Sequence, residues 1–541
     1  MMKEIWNLPY LRLSKLSVGG LATAAALFGA TLGAVPASAK SLVIARDMDM
    51  NSLDLHRAWC ESCIIYNNAV YEGLLTLDAN NKLVPVIAES WQVSNDLTTF
   101  TFKINPKATF SDGSKVEAKD VKWSWERLQN IKGNAAELAE AIASVDAPDP
   151  ATVIVKTKAP NSEFLNVLTA TYFGVINRRV AETEGKANAG PDAAKSDSSE
   201  PWFFSHSAGA GPFVLESYEP GSELRLKRNE HYWRKPANVD EVIMRQVGDT
   251  VAQAQLLQSG QVDIAMQVDA ETAKTLTSPN VKVESAPSFN FIYVAIGPGA
   301  VANPFPMTME IREAISIAID RKSLIDFTVG EGNGELISVP FPIGFPGASG
   351  HAIPEYNPEK AKAMLAHAGK ADGFTLDATY PQLNVYGVDL SIMMQKIQQD
   401  LAKVKITLDL KPVEMSAWRQ RVSGDHIPFT GAYYSPDFYG TSQFVQTFGL
   451  AEGTLWYKRG GAERDPSYLL PENLKLMAEA LKAKPADAEK IWFKIGENIK
   501  SDNVILPMLS PNLMLTYGSK VHGVRNSAIC ILPLYDVSIE D

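Results

Sequence analysis

Cys60-Glu61-Ser62-Cys63 is the spacing in this 541-residue chain that comes nearest to a reactive motif. Two thiols three positions apart suit a redox couple, half of a zinc site or a local disulfide. Thioredoxin-like chemistry needs a βαβ surround, and the flanking sequence does not supply one. Zinc needs more ligands, yet no second CxxC occurs. The seven histidines (56, 206, 231, 351, 367, 426 and 522) form no pair at ligand spacing. A Ser/His/Asp triad cannot be read from sequence order, but a Gly-x-Ser-x-Gly elbow and an HExxH are both absent. The expectation is a protein that is not an enzyme and takes no cofactor and no metal. For the thiols this leaves a tight Cys60–Cys63 disulfide or a long bridge from one of them to Cys530, and spacing does not choose.

The first residues set the compartment. Lys3, Arg12 and Lys15 precede the uncharged apolar run 16–34, and Ala37-Ser38-Ala39 fits a small-residue cleavage site. This predicts a signal peptide over 1–39 and a soluble periplasmic protein starting near Lys40. The run is nearly long enough to be a retained membrane anchor, but the cleavage site and the lack of a stop-transfer flank argue against one. Position 40 is Lys rather than Cys, so lipid attachment at the mature terminus is not expected. Cleavage removes three basic residues and Glu4, taking the formal charge from −11 to −13. An acidic balance of that size argues against nucleic acid or anionic membranes as partners and for a monomer-like surface. About 500 mature residues exceed one core, so two or three domains are expected.

Strands and helices alternate along the chain, which implies mixed α/β domains. Residues 71–113 read as a helix end, a short strand, a break at Pro85, a Trp-bearing turn, and a strand with Phe100, Phe102 and Ile104 on one face. In the helix predicted over 116–128, Trp123 and Trp125 are two apart, so it must pack on more than one side. Asp146 to Pro150 reads as a turn, and the polar stretch 184–200 as a surface loop. Further strands are predicted at 223–227, 239–247, 264–268, 374–380 and 405–413. Helices are predicted at 250–259, 309–320, 358–368 and 388–402. Ile311, Ala314, Ile315, Ala318 and Ile319 form the stripe of the second of these, and Gly369 suits the end of the third.

The order of segments resembles the periplasmic peptide-binding proteins that serve ABC importers. The 71–113 stretch is similar to their signature region. Gly209-Ala210-Gly211-Pro212-Phe213 looks like their GTGPY turn, Arg228-Asn229-Glu230-His231-Tyr232-Trp233 like RNxxYW, and Ser259-Gly260-Gln261-Val262-Asp263 like SGEVD. Ile311 to Arg321 and Tyr356 to Ala361 extend the match over essentially the whole mature chain. The resemblance implies an α/β, two-lobed periplasmic binding protein fold with an additional inserted domain. Its boundaries fall at 40–83, 206–289 and 508–541 for lobe I, 84–205 for the inserted domain and 290–507 for lobe II. It implies a receptor that closes on a peptide or small-molecule ligand and delivers it to an inner-membrane ABC permease complex. Opines, oligosaccharides, haem and nickel chelates are alternative ligands within the same fold, and an exported hydrolase is a distant alternative.

On this resemblance Asp437, in Gly431-Ala432-Tyr433-Tyr434-Ser435-Pro436-Asp437, matches the family's acidic partner of a ligand α-ammonium. The physics agrees, because a buried carboxylate is costly until a cation answers it. The family usually continues Asp-Pro-Asp-Asn, whereas this chain has Gly440-Thr441-Ser442-Gln443. Tyr433, Tyr434 and Ser435 stand beside Asp437. The family's ligand-facing loop falls on Trp59, Cys60 and Glu61, and the crossing between lobes on Phe289, Asn290 and Tyr293. Arg421 matches an arginine able to receive a carboxylate bidentately. A solvated loop Asp, core tyrosines and a surface ion pair for Arg421 are the structural alternatives to these roles.

Overall fold

The computed structural model describes residues 40–540; the expected signal peptide lies outside them. Three sheets organise the chain. The first runs Val281–Ala286, Leu513–Gly518, Ile264–Ala265, Ser41–Arg46, Glu241–Gln246, Glu223–Arg228, Phe213–Glu219. Ser41–Arg46 lies parallel to both of its neighbours. Its Leu42 and Ile44 enter the core of this first lobe. The strand expected over 264–268 pairs only at Ile264–Ala265.

The second sheet runs Gly334–Leu336, Ile505–Pro511, Phe291–Ile296, Phe429–Tyr434, Phe374–Pro381, Ile406–Val413. The last two strands are parallel, and the helix Leu390–Ala402 connects them. Every residue of Phe291–Ile296 is buried. Phe291, Tyr293 and Ala295 enter one core, while Ile292, Val294 and Ile296 enter another, so this strand is covered on both faces.

The third sheet is antiparallel, in the order Ala88–Val93, Thr99–Ile104, Thr152–Thr157, Ile142–Asp149. Phe100, Phe102 and Ile104 do share its buried face. Two expectations are corrected here. Trp91 lies on a strand rather than in a turn, and residues 146–149 continue a strand through a bulge, leaving the reversal to Pro150 and Ala151.

The helix Ala118–Ile131 joins this inserted domain to the first lobe. Trp123 packs in the first lobe's core and Trp125 in the inserted domain's, as side chains two positions apart must. On the same helix the fully buried Arg127 donates to Asp54 at 2.8 and 2.6 Å and to Asp197 at 3.0 and 3.1 Å. Its third partner is Ser199, at 2.8 Å. The stretch 184–200 is therefore more than a surface loop: Asp197 and Ser199 are internal anchors that answer a buried guanidinium.

The chain passes between the lobes twice, at 287–290 and at Asn512. The two passes are stitched side by side, with Ser288 Oγ donating to Pro511 O at 2.5 Å and Ser510 Oγ to Asn290 O at 2.7 Å. Gly209 lets the 209–213 turn press on the end of the first lobe's helix Glu61–Val70. A Cβ there would stand 1.9 Å from Val70 O.

Candidate functional site

Between the lobes lie two cavities of about 480 and about 200 Å³ with shared walls: Asp49, Trp59, Cys60, Glu61, Met415, Arg419 and Tyr433 line both. They form one cleft.

The first lobe contributes the start of the helix Glu61–Val70. Its exposed amides are capped by Asp49, which accepts from Glu61 N at 3.0 Å and from Ser62 N at 2.9 Å. Burial opposes the Asp49 charge, but Arg46 and the Ser62 hydrogen bonds outweigh it and leave the pKa below the ordinary value. Cys60 stands at the N-cap and is disulfide-bonded to Cys63, with Cα atoms 5.0 Å apart; Cys530 is buried and unbridged. The local bridge is thus the one formed, and it fixes Trp59 and Glu61 on either side of Cys60. Trp59 stacks on Tyr172 of the inserted domain at 5.2 Å. Glu61 accepts a hydrogen bond from the Tyr386 hydroxyl of the second lobe. Burial pushes its carboxyl up to about 7, with Arg46 opposing and Asp49 adding to the shift. Tyr386 projects from a two-residue hairpin turn with Gly387, at φ of 54° and 81°, the twist that such turns require.

The second lobe contributes the end of the strand Phe429–Tyr434. Tyr433 packs edge-on to Tyr386 at 5.7 Å, and Tyr434 against Phe448 at 5.3 Å. The two tyrosines lean on different cores, yet both border the smaller cavity with Ser435 and Asp437. Asp437 is half-buried. Among the described residues no side chain or amide gives its carboxylate a hydrogen bond or an ion pair. Burial, with the charge of Glu137 adding, pushes it up to about 8. Its loop is held from behind: Asp437 N donates to Gln443 Oε1 at 2.9 Å, and Gln443 Nε2 donates to Phe438 O and Gly440 O at 2.5 and 2.8 Å. The residues that depart from the family pattern thus brace the Asp437 loop. The amides of Thr441 and Ser442 donate to the buried Glu163 of the inserted domain at 2.9 and 3.0 Å.

Not every expected residue reaches the cleft. Tyr293 is buried in the second lobe's core, its ring 5.2 Å from Phe448, because its strand is covered on both faces. Its hydroxyl faces toward Arg459, which does line the cleft. Arg421 is exposed outside both cavities. Arg419, two residues earlier on the helix Met415–Ser423 and so on a different side of it, borders them. Phe289 and Asn290 border a separate crevice of about 10 Å³ beside the crossings, together with Glu61 and Ser435. Sequence reasoning missed Arg419, Arg459, Glu137, Tyr172 and Tyr386; a scan for charged residues without a cap or a pair in sequence offers no way to single them out. Among the described residues no three His, Cys, Asp or Glu side chains are placed to hold a metal ion.

The arrangement can enclose a polar solute and present it with carboxylates and guanidinium groups from three bodies. Comparison with known proteins bears on what such a cleft serves. A family model described as bacterial extracellular solute-binding proteins, family 5 Middle, matches residues 82–455. The glutathione-binding protein GsiB of Salmonella typhimurium is 28% identical over 426 residues, covering 77% of this chain and 78% of that protein. Among solved structures, the periplasmic binding protein DppA of Helicobacter pylori, associated with an ABC transporter and in complex with the peptide STSA, superposes with a TM-score of 0.78 at 21% identity, covering 93% of this chain and 98% of that one. The binding protein AgaA of A. tumefaciens R10 with agropinic acid gives 0.75 at 23%, covering 93% and 99%. At these identities the two structures speak to the fold alone.

Proposed function

We propose, from the premise that this chain belongs to family 5 of the bacterial extracellular solute-binding proteins, that it is the receptor of an ABC importer for a peptide or peptide-like amino-acid derivative. The observation that carries this reading is the unanswered Asp437 carboxylate on the wall of a cleft bounded by both lobes. A cationic group entering there answers a carboxylate whose charge burial otherwise opposes, and closure that brings a ligand against both lobes at once favours the closed form. The ligand's ammonium is the group assigned to Asp437, with Trp59, Tyr433, Tyr434 and Ser435 around it. The other proteins of this fold named above bind glutathione, a tetrapeptide and an opine. The amide-lined wall of the larger cavity, with Asn51, Gln267, Gln382 and Asn384, favours the opine-like alternative as the second reading, since amides match hydroxyl groups.

The same reading takes 1–39 as a cleaved signal peptide and the mature protein as a periplasmic monomer that delivers its solute to an inner-membrane permease. Native mass spectrometry of protein purified without denaturation tests it: a bound small molecule is expected, released when the lobes are unfolded. Asp437→Asn should weaken binding of that molecule by about 30-fold or more, the range for leaving a buried charge unpaired. Binding within twofold of the parent protein would overturn the assignment of the ammonium.

A further inference from the structure

The loop that carries Asp437 belongs to the second lobe, yet the inserted domain holds it. The loop follows the strand Phe429–Tyr434 and leads into the helix Ser442–Phe448. Phe438, next to Asp437, is 2% exposed and sits in the inserted domain's core with Phe164 and Tyr172, outside both cores of its own lobe. The helix after it lacks a cap of its own, because the Thr441 hydroxyl at its N-cap donates to Pro346 O at 2.8 Å. The amides of a helix start need an acceptor. Glu163 of the inserted domain supplies one, with one carboxylate oxygen 2.9 Å from Thr441 N and the other 3.0 Å from Ser442 N. Glu163 is itself buried, and its own amide donates to Asn161 Oδ1 at 3.0 Å. A third bond crosses beside it, from Ser162 N to Leu481 O at 2.9 Å. Through the helix Ala118–Ile131 the inserted domain goes with the first lobe. Parting the lobes therefore bares the Phe438 ring to water and takes from two helix amides their charged acceptor, and both changes oppose opening.

We infer that Phe438 and Glu163 form a catch between the inserted domain and the second lobe, which positions the Asp437 carboxylate on the cleft wall and sets how long the closed cleft keeps its solute. Asp437 and Phe438 are consecutive, so a solute that engages the first bears on the seating of the second. Neither Phe438 nor Glu163 touches the solute in this arrangement; both are positioning residues. Their effect on a solute rests on the cleft being the solute site, whereas the catch itself is made of contacts within the protein and is read without one.

Two measurements on the mature protein test it. Nitroxide labels at Lys158→Cys and Lys482→Cys, exposed residues close in sequence to Ser162 and Leu481, report the separation of the inserted domain from the second lobe by pulsed electron resonance. Cys60 and Cys63 are bridged and Cys530 is buried, so the labels go where they are placed. The parent should show a short-distance population that Glu163→Ala, Phe438→Ala and the double variant shift to longer distances, with Phe438→Leu falling between. Stopped-flow tryptophan fluorescence then follows glutathione and the tetrapeptide Ser-Thr-Ser-Ala as probes. For a probe that binds, Glu163→Ala and Phe438→Ala should each speed dissociation by about tenfold or more and leave association within about threefold, since contacts completed after docking act on the off-rate. A folding defect alone would lower the fraction of protein that binds and leave the rates of the remainder unchanged. Where neither probe binds, the label distances decide alone. Distances in Glu163→Ala/Phe438→Ala that match the parent's, or dissociation within about twofold of the parent's, would overturn the catch. Shifted distances, with Asp437→Asn binding the probe as the parent does, would instead overturn the ammonium assignment and leave the catch standing.

Discussion

Arg127→Met tests the joint between the first lobe and the inserted domain. The parent guanidinium is fully buried and makes four hydrogen bonds to two carboxylates that are themselves buried. Methionine fills much of the space but leaves Asp54 and Asp197 as internal anions. Removing one partner of a buried pair costs about 3–5 kcal/mol. Arg57 still reaches Asp197 at 3.0 Å and Asp54 at 3.5 Å, so the expected loss is the lower figure, about 3 kcal/mol. Urea denaturation at pH 7, followed by tryptophan fluorescence, reads the change where it acts, because Trp123 and Trp125 lie on the same helix. Adding Asp54→Asn and Asp197→Asn to the variant should recover part of the loss. The pH dependence has a fixed sign. Burial opposes both charges, but Arg127 prevails, leaving Asp54 below its ordinary value and Asp197 at about 2. Their stabilisation is therefore present above the ordinary carboxylate range and lost as pH falls through about 2, so the parent and variant should draw together from about pH 4 downward and meet near about pH 2. A loss under about 1 kcal/mol, the scale of exposed pairs, or a triple variant no more stable than Arg127→Met, would refute this reasoning.

Gly209→Ala should destabilise the first lobe by about 1–3 kcal/mol or prevent folding, read as a shift in thermal denaturation; Gly73→Ala, whose Cβ would meet nothing closer than 3.5 Å, should be tolerated. Reducing Cys60–Cys63 with a phosphine should weaken solute binding at least several-fold in calorimetry, because Trp59 and Glu61 lose their common tether, while Cys530 stays unlabelled by iodoacetamide until the protein is unfolded. Asp437, raised to about 8 when unanswered, must lose a proton to receive an ammonium group. Affinity should therefore climb between pH 6 and 8, with close to one proton released per solute near pH 6.5, measured by calorimetry in buffers of different ionisation enthalpy; a flat profile would contradict the pairing.

Where one face of an element meets solvent or a partner, its pattern was readable. The strand Thr99–Ile104 alternates, and the five stripe residues of the helix starting at Met309 are all buried. The strand Phe291–Ile296 carries no such code. Both of its faces are covered, so Tyr293 could not be assigned to cleft or core from its sequence. Asp437, Glu61 and the tyrosine pair were legible through segment order. Arg459 was not: its neighbours Tyr293, Trp418 and Glu137 come from distant parts of the chain, and only the closed tertiary arrangement brings them to it. The burial of Asp197 was hidden for the same reason, since a polar turn-rich segment reads alike whether or not a buried arginine awaits it.

The helix Ala118–Ile131, with one tryptophan in each of two cores, has a consequence for how the molecule comes apart. Neither core can lose this helix without leaving the other open, so the inserted domain and the first lobe share one melting event although their sheets are separate. The second lobe is joined to them by two short passes and by contacts across the cleft such as Thr441 and Ser442 to Glu163, and it has cores of its own. Under stress the molecule therefore divides into two cooperative blocks rather than three, and the line of division runs through the cleft. A bound solute, touching both blocks, would fuse them toward a single transition.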